Sequence, residues 1–180
     1  MGTLIGMYVL VFCRIVIGLL FAISAINKLR DFGSFAQTIT RFRILPGHLS
    51  TPAACIFVAA EVIITIMMVF GGVWLWPGFL FTILLLVAFS VALGSVLARN
   101  IQTSCNCFGN TDKPVSTADI WRNLGFTLCA IGGCVALSIA GTTASSLGLI
   151  EWAMMAASAT VFVVVWMHLS DIVQLVRLET

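Results

Sequence analysis

The sequence predicts an all-α integral membrane protein, a bundle of about five transmembrane helices with one amphipathic helix lying in the interface. Three observations predict it. Of 180 residues, 61% are hydrophobic and 9% charged, against roughly 25% charged in a soluble domain. Mean hydropathy is +1.13. The apolar residues also run continuously, in stretches close to the about 20 residues that a helix needs to cross a bilayer, without the short alternation of barrel strands. The net charge of +2 comes from nine Lys and Arg residues that form no basic run, which excludes the electrostatic footprint of a nucleic-acid binder.

The first span covers Leu4 to Ile26. It ends in small residues that suggest a cleavage site, but its apolar run is too long for a signal peptide and no basic segment precedes it. We therefore expect a retained helix. Within it Arg14, Phe21 and Lys28 fall at intervals of seven, with Gly18 and Ser24 on nearly the same face. That stripe is expected to face the bundle interior. Residues 31–45 follow, where Phe32, Phe35, Ala36, Ile39 and Phe42 recur at helical spacing opposite Ser34, Gln37, Thr38 and Arg41. This pattern suits a helix lying flat in the interface, ended by Pro46-Gly47.

The second span covers Ala53 to Val73, with Pro52 at its start, where a missing N–H costs little. An uncharged connection places Trp74 and Trp76 as interfacial anchors before the third span, Pro77 to Ala98. The fourth, Ile120 to Ala140, is preceded by Ser116 and Asp119 at capping-box spacing, and Trp121 and Arg122 are expected to mark the membrane surface. Trp152 to Leu169 is the fifth and shortest span. The connections are brief, so residues 1–180 are expected to form a single multi-pass domain, and successive spans must alternate in direction. The interfacial helix and the connection from Arg99 to Asp119 therefore share one side.

That last connection contains the sequence SCNCFGN, residues 104–110. Cys105 and Cys107 are separated by one residue. A disulfide across so short a spacer departs from relaxed geometry and is more reducible, and strained, exposed disulfides tend to be the catalytic ones. The following helix start and nearby cations favour the thiolate. The pair is thus a candidate redox dithiol. Two thiolates also suit Cu(I) or Zn, so metal handling is a second reading, although no full ligand set is evident and none is assigned. A non-catalytic scaffold docking partners through the interfacial helix is a third. Cys13, Cys129 and Cys134 lie in or at the ends of spans, where cysteine behaves as a small hydrophobe; Cys55 starts the second span on the side of Cys105 and Cys107 and is the one that could exchange with them.

Two charges fall inside spans, Arg14 and Glu61. A lone charge at mid-bilayer costs at least about 2.5–3.5 kcal/mol, so the two are expected to pair. The pair reads equally as a structural clamp or as a quinone or proton site.

The first-span pattern Arg14, Gly18, Phe21, Ser24, Lys28, Leu29, Asp31 resembles the DoxX-type membrane proteins. With Leu45-Pro46, Glu61 and CNCFG at 105–109, the order of motifs is similar to that of the MauE family of methylamine utilization proteins, over nearly the whole chain. The resemblance implies a DoxX-like or vitamin K epoxide reductase-like four-helix core in the inner (cytoplasmic) membrane. It also implies an accessory role in processing, transport or maturation of the methylamine dehydrogenase β (small) subunit, alongside a thioredoxin-like MauD-type partner. Lys28, Asp31 and Cys55 are then supporting candidates, and quinone is the cofactor left open. The sequence departs from vitamin K epoxide reductase in having CxC rather than CxxC. The basic residues would place the CNC connection in the cytoplasm by the positive-inside rule, whereas periplasmic disulfide chemistry would place it outside.

Overall fold

Each apolar run of the sequence forms a helix, because backbone polar groups in lipid have no partner but one another. The computed structural model describes residues 2–42, 46–99, 117–141 and 148–168. In chain order the elements are α1 (Gly2–Arg30), α2 (Phe32–Arg41), α3 (Gly47–Phe70), a 3-10 turn at Gly72–Trp74, α4 (Leu75–Ala98), α5 (Thr117–Ala140) and α6 (Leu149–Met167). Five of the six α-helices, all but α2, are long and apolar enough to cross a membrane. The protein is an all-helical, multi-pass membrane protein.

Four helices close a ring: α1 packs on α3, α3 on α4, α4 on α5, and α5 back on α1. Inside it sit Leu10, Ile17, Leu20, Ile64, Phe79 and Phe126, each almost fully buried. The outward faces are also apolar, with Ile56, Val91 and Leu128 well exposed, as lipid rather than water requires. Small residues let the backbones approach. Gly18 lies against Met68 where α1 crosses α3, and the Phe79 ring of α4 fills the space over Gly133 of α5.

Helix α6 lies outside the ring against α1. Its Phe162 meets Phe12 edge-on at 5.6 Å and stacks on Trp166 at 5.5 Å. The Trp166 ring covers Gly125 so closely that a Cβ there would overlap it, and its Nε1 donates to the Arg122 carbonyl at 3.2 Å. At the other end of α6, Tyr8 donates to Glu151 at 2.8 Å. The Glu151 carboxylate also accepts from the Gly148 N–H at 2.9 Å, capping the helix start.

Helix α2 is amphipathic as expected, and its apolar face has a protein partner. Phe35 is buried with Ala54 and Val58 of α3, with Phe32, Ala36 and Ile39 packed around them. Thr38, expected on the polar side, is buried too, because its hydroxyl is satisfied by the Ser34 carbonyl at 3.0 Å. Asp31 caps the helix by accepting from the Ser34 N–H at 3.2 Å. Phe42, just past α2, packs with Leu93 and Val96 of α4 and with Ile120 of α5. This contact joins α2 to the end of α4 and the beginning of α5, so α2, Ala98 and Thr117 share one end of the bundle, as helix counting requires.

One expectation is corrected here. Pro52 lies in the second turn of α3 rather than at its start, because the helix extends down to Gly47. Arg122 is buried within the bundle and ion-paired with Asp119 at 3.1 Å, whereas Trp121 beside it is exposed.

Candidate functional site

The polar interior of the bundle is built on α1, α3 and α5. On α1, Ser24 and Lys28 stand one turn apart on the same face. The Lys28 ammonium donates to Ser24 Oγ at 3.1 Å and pairs with Glu61 Oε1 of α3. Ser24 Oγ in turn donates to the same carboxylate oxygen at 3.0 Å. Lys28 and Glu61 are each 4% exposed. Two charges so deeply removed from water are tolerated when each supplies the other's counter-charge. Lys28 is further flanked by Phe35 of α2, its ring centroid 4.9 Å from the ammonium, and by Phe89 of α4 at 5.9 Å. These rings present their negative faces to the cation and seal it from the bundle end.

Arg14 has a different task. Its Nε donates to the Met68 carbonyl at 2.6 Å and its Nη2 to the Val69 carbonyl at 2.7 Å. These belong to the last turn of α3, where helical carbonyls have no donor of their own. The guanidinium also stands 5.5 Å from the Trp152 ring of α6. Gly71 follows with φ +70°, and a Cβ there would lie 2.7 Å from the guanidinium. The conformation favours glycine, and a larger residue would have to displace the guanidinium from the α3 carbonyls.

The expected Arg14–Glu61 pair does not form. Antiparallel register is the reason. Gly18 sits opposite Met68 and Ser24 opposite Glu61, so paired positions sum to about 85. Arg14 and Glu61 sum to 75, a mismatch of about ten residues or about 15 Å at helical rise. Neither side chain spans that. Lys28 takes the carboxylate, and Arg14 takes the helix terminus.

Asn123 of α5 was not anticipated. It is 2% exposed, and together with Ser24, Lys28 and Glu61 it lines a cavity of about 30 Å³ whose remaining walls are apolar, among them Leu20, Phe57 and Leu85. Glu61 Oε2 and Asn123 Nδ2 are both buried there without a hydrogen-bond partner. The sequence signal for Asn123 was a polar residue about one turn into an apolar span.

Of the other sequence candidates, Cys105 and Cys107 lie outside the described residues. The ends that bracket them, Arg99 and Thr117, belong to the end of the bundle that carries α2, with Asn123 about 9 Å along α5 from Thr117 at helical rise. Cys55 is exposed on α3 and Asp31 is the α2 cap. Cys13 of α1 is buried and Cys129 of α5 half-buried, both packed with the apolar core of the ring.

Five apolar helices, four of them closed into a ring that holds a buried ion pair, define a multi-pass membrane protein with a charged interior. The family model for the methylamine utilisation protein MauE matches residues 6–136. The chain is also 33% identical over 145 residues to the methylamine utilization protein MauE of Paracoccus denitrificans, covering 78% of this chain and 77% of that protein. The chain belongs to the MauE family, and the family implies a role in methylamine utilisation. No solved structure matches it.

Proposed function

We propose that the protein is a thiol-redox accessory of the inner membrane that supports maturation of the methylamine dehydrogenase β subunit. Cys105 and Cys107 exchange electrons with a thioredoxin-like, MauD-type partner. The observation that carries this reading is family membership over residues 6–136, a stretch that includes the CNC connection. In the exchange, a thiolate of the reduced pair attacks the partner's disulfide and forms a mixed disulfide. The second thiolate then displaces it. Cys105 and Cys107 are left oxidised, and the partner carries away the two electrons and two protons as a dithiol. The reverse direction balances in the same way.

The ring of α1, α3, α4 and α5 is the four-helix core that we liken to DoxX-type proteins and vitamin K epoxide reductase. In this reading the Lys28–Glu61 pair and the α2 packing fix the end of the bundle from which the thiols are presented. The test is a chromosomal Cys107→Ser strain grown on methylamine. Loss of mature β subunit with normal membrane levels of the variant supports the proposal, and β subunit maturing at the wild-type rate rejects it.

A further inference from the structure

The cavity between Glu61 and Asn123 has two open valences. Glu61 Oε2 is an acceptor and Asn123 Nδ2 a donor, both in residues more than nine-tenths buried and both without a partner. Orphaned buried polar atoms are rare, and each costs about 1–3 kcal/mol unless something occupies the site. A single group that satisfies both donates to the carboxylate and accepts from the amide. A hydroxyl does both; a ketone, an ether or a carboxylate does not. Ser24 and Lys28 are already committed to Glu61 Oε1, so the second carboxylate oxygen is the one left for an incoming donor.

Water has such a hydroxyl, and the cavity has room for a group of that size. The walls argue for a larger molecule. Phe57 and Leu85, which close the cavity between α3 and α4, also line a groove of about 340 Å³ formed by Ile56, Ala60, Phe81 and Ala88 among others. Ile56 and Phe81 are exposed on the lipid-facing surface. Phe57 and Leu85 are thus a common wall, and one layer of side chains separates the lipid-facing groove from the donor and acceptor.

We propose that this is a binding site for a lipid-phase phenol or alcohol. Its hydroxyl bridges Asn123 Nδ2 and Glu61 Oε2, and its apolar body lies in the α3/α4 groove. The site is independent of the cysteine chemistry, so either can fail without the other.

The probe is 4-hexylphenol, compared with 4-hexylanisole, its methyl ether, which keeps the acceptor and loses the donor. The readout is the Tm of the purified full-length protein in detergent micelles at matched mole fractions. The phenol is expected to raise Tm saturably, by about 2–4 °C, and the ether to leave it unchanged. Asn123→Leu is expected to abolish the difference. Ala88→Phe, at an exposed position that fills the groove without touching the polar cluster, is expected to do the same and serves if the first variant does not fold. Equal responses to phenol and ether, or a phenol shift that survives Ala88→Phe, would assign the cavity to water alone and overturn the proposal.

Discussion

Lys28 of α1 and Glu61 of α3 form an ion pair inside a bundle whose outer surface is apolar, and Ser24 Oγ bonds to both. Single and double replacement should therefore differ sharply. Glu61→Gln or Lys28→Met alone leaves a buried charge without its partner and should cost about 3–5 kcal/mol. The double variant Lys28→Met/Glu61→Leu should recover much of that loss, since an apolar replacement removes both desolvation penalties. Reversible denaturation in mixed micelles measures it. Additive single effects would mean that the two charges do not interact.

Arg14 provides the matching control. It holds the last carbonyls of α3 and does not reach Glu61. Arg14→Leu is expected to destabilise by about 2–3 kcal/mol through loss of charge-assisted hydrogen bonds. Combined with Glu61→Gln, the effects should add within about 0.5 kcal/mol, as for sites without shared partners. A coupling energy well above that would restore the pairing that register forbids.

Gly71→Ala tests the same helix end from the backbone side. The residue sits at φ +70° with the Arg14 guanidinium where a Cβ would go. A cost of about 1–3 kcal/mol is expected from the left-handed conformation, and Arg14→Ala in the same chain should relieve only the steric share. A neutral Gly71→Ala in thermal unfolding would contradict this geometry.

One close contact, Trp166 over Gly125, seats the end of α6 on α5. Gly125→Ala drives a methyl group into the Trp166 ring and should cost about 1–3 kcal/mol as overpacking. Trp166→Phe should partly rescue it, at the expense of the bond to the Arg122 carbonyl. Limited proteolysis in the 141–148 connection reports the loosening of α6. Unchanged cleavage in Gly125→Ala would place the helix elsewhere.

The spans and the amphipathic α2 were legible because each is a property of a single segment: an unbroken apolar run, or phenylalanines recurring every three to four residues. The interior ion pair depended on how two segments slide past one another, which hydropathy does not encode. Arg14 and Glu61 looked like partners because both are charges near the middle of their spans, yet α3 starts at Gly47, and this register aligns Glu61 with Ser24. Lys28 was visible as part of the Arg14 stripe, one turn from Ser24. Asn123 and Arg122 were harder to read, since polar residues near a helix start resemble surface residues until the packing turns them inward. The reactivity of Cys105 and Cys107 rests on spacing and family membership, because their connection lies outside the described residues.

The central claim is that Cys105 and Cys107 interconvert between dithiol and disulfide in the working protein. The most direct measurement is mass spectrometry of the peptide from Asn100 to Arg122, after acid quenching and thiol alkylation of membranes from methylamine-grown cells. It should be made with and without the gene for the thioredoxin-like partner. The account predicts both a doubly alkylated form and an unalkylated form lighter by two hydrogens, in a ratio that shifts strongly when the partner is deleted. A single form whose amount ignores the partner would contradict it.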